Sequence, residues 1–279
     1  MNKNEHENIA ESFLSAGFTE SEINLALSGA ARMRAEEQSF AEYFSQNWSR
    51  AYIVSECFYV MINKAAESCA RYFESLGDDE KNEKPNTFTA LTRLHKRASQ
   101  QYLEIITLVK AGFADGAFAR WRSMHELSVI SSFILKYGEP VADKFIEASE
   151  TEDRYDWAMA SNAFRENKRH VTFGDILKLC DLDVDVWKED YTVANQTVHA
   201  SPQGTFGRLG AQDNGDSLRS GYGIAAPAIQ CANTLALVSS MLFSLYPDEE
   251  TVEKMSLAAK LLDALTEIYY NTHERLFPE

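Results

Sequence analysis

The sequence predicts an all-α protein, a bundle of about 8–10 helices with one glycine-rich irregular segment. Three observations carry this. Apolar residues recur every three or four positions along most of the chain, the spacing of a helix face. Capping residues, glycines and prolines mark helix starts and stops at regular intervals. No stretch alternates apolar and polar residues for long enough to build a sheet.

Taken in order, residues 4–16 form a short amphipathic helix on Ile9, Phe13 and Leu14, closed by Gly17. Thr19-Glu20-Ser21-Glu22 is a capping-box signature. It opens a helix through Ile23, Leu27, Met33 and Phe40. A long helix follows over 48–76, with Ile53, Val54, Cys57, Met61, Ala65, Cys69 and Phe73 as its expected apolar stripe. The polar run 77–85 reads as a linker. It divides the chain into an N-terminal helical region, 1–77, and a main helical domain, 86–279.

The main domain starts with a helix over 87–110 carrying Phe88, Leu91, Leu94, Ala98, Tyr102, Ile105 and Val109. Gly112 ends it before the helix of Gly116–Ile134. That helix is apolar nearly all round, which makes it central. Gly138 and Pro140 mark the next break. Residues 141–164 read as a strongly charged surface helix, and 173–180 as a short one. Residues 184–200 form another, with Trp187, Tyr191, Asn195 and Val198 on one stripe and His199 beside them. Residues 205–223 hold five glycines and form the irregular segment, with a small hairpin expected around Asp213-Asn214-Gly215. Two helices close the chain, over 225–246 and 249–276.

With 45% apolar residues, including 16 Phe and 12 Tyr, the chain can bury a sizeable core. Its formal charge of −15 opposes general binding to nucleic acid or anionic membrane. The four cysteines have no metal-ligand or redox spacing, and each sits among apolar neighbours. They read as buried free thiols in a reducing cytoplasm, and the N-terminus lacks the apolar core of a signal peptide. Residues 224–246 carry no charge and are long enough to cross a bilayer. Gln230, Asn233, Thr234, Ser240 and Ser244 gather on one of their faces, which favours a buried core helix. Its seam suits a helix pair, so a homodimer or another protein partner is expected.

Chemistry concentrates on the central helix. Arg122, His125 and Glu126 share an arc of about 100° with Phe118, Val129 and Phe133. Burying such groups unpaired is costly, so they are expected to bond each other or a ligand. Arg122 and Glu126 are spaced i,i+4, either as a structural ion pair or as an arginine oriented for an anion. Tyr191, Asn195 and His199 are spaced i, i+4, i+8 on the later helix. His199 at its end is a candidate acid or base for the same cluster. Arg120, His125, Tyr191 and Asn195 are candidate substrate contacts beside the candidate catalytic set Arg122, Glu126 and His199. Two local basic patches stand out. Arg93, His95, Lys96 and Arg97 form one, and Arg165, Lys168, Arg169 and His170 the other. With Arg120 they mark the only groove where RNA is expected to bind. No phosphate loop, dinucleotide fingerprint, nucleophile elbow or paired metal-ligand motif occurs, so no cofactor and no metal are expected.

The run Arg120-Trp-Arg-Ser-Met-His125 resembles the R-x4-H pattern of HEPN-type ribonucleases, which implies an arginine and a histidine acting on the RNA backbone without metal. On one helix, however, Arg120 and His125 point about 140° apart. The helix Gly116-x-x-Ala119-x-x-Arg122-x-x-x-Glu126, followed by Tyr191 and Val198-His199-Ala200-Ser201-Pro202, resembles a bacterial family of uncharacterised helical proteins. Some of its members are similar to HEPN-like or abortive-infection proteins of phage defence. The resemblance spans 88–245 and implies that Arg122, Glu126 and His199 are the positions that matter. That family usually has a small hydroxyl residue where this chain has Asn195. Two functions follow as expectations. The first is a binding or regulatory module of a stress or phage-defence system. The alternative is a metal-independent endoribonuclease.

Overall fold

The computed structural model describes residues 3–151, 154–164, 168–199, 202–207 and 218–278. These are all-helical, as the periodicity predicts, with no strand among them. The chain divides into two compact units, Met1–Gln46 and Asn47–Glu279.

The first unit holds α1 (Lys3–Ser15) and the beginning of α2 (Glu20–Ser75). Gly17 takes a φ of +90° to turn the chain between them. The Thr19 capping box forms as the sequence predicts. Glu22 N–H donates to Thr19 Oγ1 at 3.3 Å, and Thr19 N–H donates back to Glu22 Oε2 at 2.8 Å. The two helices expected over 19–76 are one continuous helix, since no proline or left-handed residue interrupts them.

In the second unit, the part of α2 from residue 47 onward packs through Trp48, Ala51, Ser55, Phe58, Ile62, Ala65 and Cys69. This corrects the stripe read from sequence. Ile53 is 55% exposed, and Cys57 is exposed rather than buried. The larger rings of Trp48 and Phe58 set the buried face, and Ser55 donates to its own helix at Ala51 O while lying 3.3 Å from the Tyr269 hydroxyl. Residues 77–85 do not separate two bodies but lie within this unit. They hold the short α3 (Asp78–Lys81) and end on the first residue of the next helix. Around them, Phe73 stacks on Phe88 at 3.9 Å and meets Tyr246 at 5.3 Å.

The core is built from α4 (Pro85–Lys110), α5 (Ala114–Tyr137) and a later helix, Ala225–Phe243, each packed on the other two. The α4–α5 join is a two-bond helix stop. Gly112, at φ +78°, donates to Val109 O, and Phe113 N–H donates to Leu108 O at 2.9 Å. Gly138, at φ +70°, ends α5 and leads into α6 (Glu139–Glu147). Glu139 reaches back to cap α4, accepting from the Asn86 and Thr87 N–H groups. The single surface helix expected over 141–164 is instead α6 and two short 3₁₀ turns, Ala148–Glu150 and Asp156–Ser161. Val141, Ala142, Trp157 and Ala158 are buried, so this segment folds back onto the core despite its charge.

The short α7 (Phe173–Leu177) is capped by Thr172 and Asp175. A 3₁₀ turn, Val184–Trp187, precedes α8 (Lys188–Val198), which packs on α5. Pro202 begins another short helix, α9 (Pro202–Phe206), where the sequence suggested a stop. The hairpin expected at Asp213-Asn214-Gly215 lies outside the described residues. Beyond them, Ser220 N–H and the Arg219 guanidinium bond back to Gly112 O and Ala111 O at the α4–α5 turn.

The last two helices are α10 (Ala225–Phe243) and α11 (Glu249–Leu276). By length and composition α10 could cross a membrane. Here it packs against α4, α5 and α11. Part of its polar seam is used inside this chain. Thr234 Oγ1 accepts from Trp121 Nε1 at 3.0 Å, and Gln230 Nε2 donates to Asp190 Oδ2 at 2.6 Å.

Candidate functional site

The α5–α8 contact brings five of the seven sequence-derived candidates together. Helical geometry sets Arg122 and Glu126 one turn apart on the face of α5 that meets α8. There the guanidinium Nη1 lies 3.4 Å from Glu126 Oε1. Arg122 Nε donates to Asn195 Oδ1 across the helix pair. The guanidinium also covers the Tyr191 ring, 5.6 Å from its centroid. The cluster is only half sunk, with side-chain exposures of 27% for Arg122 and 14% for Glu126. Its effect is to pin α8 to α5 through one arginine with three partners.

Two residues that the local pattern did not single out complete the cluster. Arg154 Nη2 lies 3.8 Å from Glu126 Oε2, so the one carboxylate faces two guanidinium groups. The Arg154 guanidinium also covers Tyr155, 5.1 Å from the ring centroid. Tyr155 in turn meets Phe173, which stacks on Tyr191. Burial raises the Tyr155 hydroxyl above its ordinary value, and the Glu126 charge adds to this. Burial also raises Tyr191, with the charge of Arg122 and its hydrogen bond pulling the other way. Both phenols therefore stay neutral donors at ordinary pH.

His125 sits behind this cluster. Its ring packs against Trp121, Trp187 and Tyr191 at centroid distances of 5.3 to 5.4 Å. Its Nδ1 is buried with no hydrogen-bond partner among the described residues. Burial lowers its pKa to about 4, so the ring is neutral at ordinary pH.

The remaining candidates lie apart. Arg120 donates through Nε to Glu104 on α4. The R-x4-H pair is therefore split between that acid and an aromatic pocket, as the 140° helical offset implies. His199 caps the C-terminus of α8 and is exposed. No ion pair, ring contact or side-chain hydrogen bond joins it to Arg122 or Glu126 among the described residues.

Three residues of the two basic patches are committed to contacts inside the chain. His95 is buried on Ser239 Oγ at 3.1 Å, and burial and Lys96 lower its pKa to about 4. Lys168 pairs with Asp175 at 2.9 Å, and His170 Nδ1 lies 3.2 Å from Asp156 Oδ2. Arg165 lies outside the described residues. No group of three or more His, Cys, Asp or Glu with metal-binding geometry occurs among the described residues.

Comparison with protein families finds a match over part of the chain. The model of a family of unknown function, DUF5677, covers residues 88–169. This similarity takes in α4 from Phe88 onward, all of α5 and α6, and the Arg154–Ser161 segment. It includes Arg120, Arg122, His125 and Glu126 but stops short of Tyr191, Asn195 and His199. The chain is thus similar to a domain of unknown function over under a third of its length. No curated protein and no solved structure matches it.

Proposed function

We propose that the protein is a helical binding or regulatory module that acts in the cytoplasm through a protein partner or a second copy of itself. A bacterial stress or phage-defence system is the setting the sequence resemblance favours. One observation supports the non-enzymatic reading above the others. Arg122 is held on three sides, by Glu126, Asn195 and the Tyr191 face, and works as a clamp between α5 and α8. An arginine so engaged is poorly placed to receive a developing charge. The −15 formal charge further opposes an RNA substrate.

A HEPN-type endoribonuclease is the second reading, and one observation favours it. Arg122 keeps 27% of its surface, and exposed His199 lies one helical turn beyond Asn195, the residue that holds Arg122. In such a reaction a histidine takes the proton of the 2′-hydroxyl, whose oxygen attacks the adjacent phosphorus. The bond to the 5′ oxygen breaks, and that oxygen takes a proton from water, leaving a cyclic phosphate and a 5′-hydroxyl. The test incubates purified protein with single-stranded RNA and with transfer RNA in excess chelator. Intact RNA is expected. Chelator-resistant cleavage that leaves a cyclic phosphate, and that Arg122→Ala and His199→Ala each abolish, would replace the first reading by the second.

A further inference from the structure

A cavity of about 490 Å³ opens beside the cluster, between α4, α6 and the 3₁₀ turns that follow α6. Its volume falls in the range of small-molecule sites. It is lined by Ala90, Phe145, Ile146, Ala148 and Trp157, with Arg93, Arg154 and Ser149 as its polar groups. Among the described residues the lining thus carries two cations and no carboxylate. Trp157 and Phe145 meet edge to face at 4.9 Å and fix the aromatic wall. Trp157 is held further by its indole N–H, which donates to Arg154 O at 3.0 Å.

Arg93 has no ion-pair or hydrogen-bond partner among the described residues. Arg154 faces Glu126 only at 3.8 Å and is 75% exposed, so most of its donors remain available. In an acidic protein, two under-used guanidinium groups over an apolar wall are a specific arrangement. A guanidinium fork matches the oxygens of carboxylate and phosphate alike. We infer that this cavity binds a small organic anion, an aromatic body seated on Trp157 and Phe145 with its carboxylate or phosphate held by Arg93 and Arg154. The inference rests on the binding-module reading and names a ligand class for it.

The site also gives the ligand a route to the α5–α8 clamp. Arg154 is shared between the cavity and Glu126, and Glu126 holds Arg122. An anion that draws Arg154 toward the cavity leaves Glu126 to Arg122 alone.

Calorimetric titration of the full chain with phenyl phosphate and with phenylacetate tests this. 2-Phenylethanol serves as the uncharged control and inorganic phosphate as the anion without a body. One or both aryl anions are expected to bind at millimolar concentration or below, and which one binds tells a phosphate site from a carboxylate site. Arg93→Gln, a change at an exposed residue outside the clamp, is expected to weaken binding about tenfold or more with an unchanged melting temperature. Absence of binding by both aryl anions overturns the inference. So does equal binding of 2-phenylethanol, equal binding of inorganic phosphate, or an Arg93→Gln protein that binds like the parent. The RNA assay reads the underlying module separately, since cleavage would end that reading whatever the titration shows.

Discussion

Glu126→Ala is the sharpest test of the clamp. The substitution removes the acid that faces Arg122 at 3.4 Å and Arg154 at 3.8 Å. Breaking a fully buried ion pair by deleting one partner costs about 3–5 kcal/mol, because the other charge is left without compensation. The loss here is smaller for two reasons. Arg122 retains 27% exposure and keeps both the Asn195 oxygen and the Tyr191 ring. Arg154 is 75% exposed, so its share is that of a surface pair, well under 1 kcal/mol. The expected loss is about 1–2 kcal/mol. For a unit of this size that lowers the melting temperature by roughly 3–6 °C. Calorimetry supplies the melt, and amide exchange over 188–198 supplies the local readout, since α8 loses part of its tether. The double change Arg122→Met with Glu126→Leu is expected to cost less than the single one, because it strands no charge. A Glu126→Ala melt within about 1 °C of the parent, with unchanged exchange in α8, would refute the clamp.

Other outcomes follow from burial. His95 and His125 both have pKa values lowered to about 4, below the ordinary histidine value near 6.5, so the unfolded chain binds more protons than the native one between these limits. The stability they contribute is fully present above about pH 6.5 and is lost as pH falls toward 4. His125→Phe is expected to flatten the fall in melting temperature between pH 7 and 5 relative to the parent, and parallel curves would refute it. Thiol titration with a disulfide reagent is expected to modify Cys57 fast, Cys180 more slowly, and Cys69 and Cys231 only on unfolding. Burial raises Cys69 to about 11 and Cys231 well above its ordinary value. Four equally fast thiols would contradict the described core. Trp121→Phe is expected to destabilise by about 1–2 kcal/mol in urea, since it leaves the buried Thr234 oxygen without its indole donor. An unchanged midpoint would count against that bond.

The sequence made the all-helical class, the central α5, the Thr19 cap and the closing pair α10 and α11 legible, because each rests on local periodicity or local capping. The i,i+4 meeting of Arg122 and Glu126 was legible for the same reason, as was the divergence of Arg120 from His125. What failed was decided by tertiary contacts. The α2 stripe was rotated because Trp48 and Phe58, rather than Ile53 and Cys57, face α4 and α11. Residues 141–164 looked solvated by their charge, yet four apolar residues bury the segment and break it into turns. Arg154 had no signal at all. It lies 28 positions from Glu126 in the chain, and only the return of that segment over α5 makes them neighbours. The cap that Glu139 places on α4 is hidden for the same reason.

The difference between Arg122 and Arg93 shows why pairing, rather than residue type, locates chemistry in this protein. Both are arginines on core helices within the stretch similar to the family of unknown function. Arg122 attracts attention first because it interrupts an apolar face, but an apolar face also obliges the fold to satisfy it. Glu126, Asn195 and Tyr191 do so, and the result is a tether. Arg93 lies on the exposed side of α4, where water makes an unpaired cation cheap, so the fold has no need to neutralise it. It nevertheless borders an apolar cavity with a second arginine at its edge. A ligand anion that excludes water there would gain the interactions the protein has left unspent on itself. On this argument Arg93→Gln changes binding with little change in stability, while Glu126→Ala changes stability first. Obtaining the opposite pattern in the same two variants would place the ligand at the α5–α8 cluster and the structural pair at the cavity.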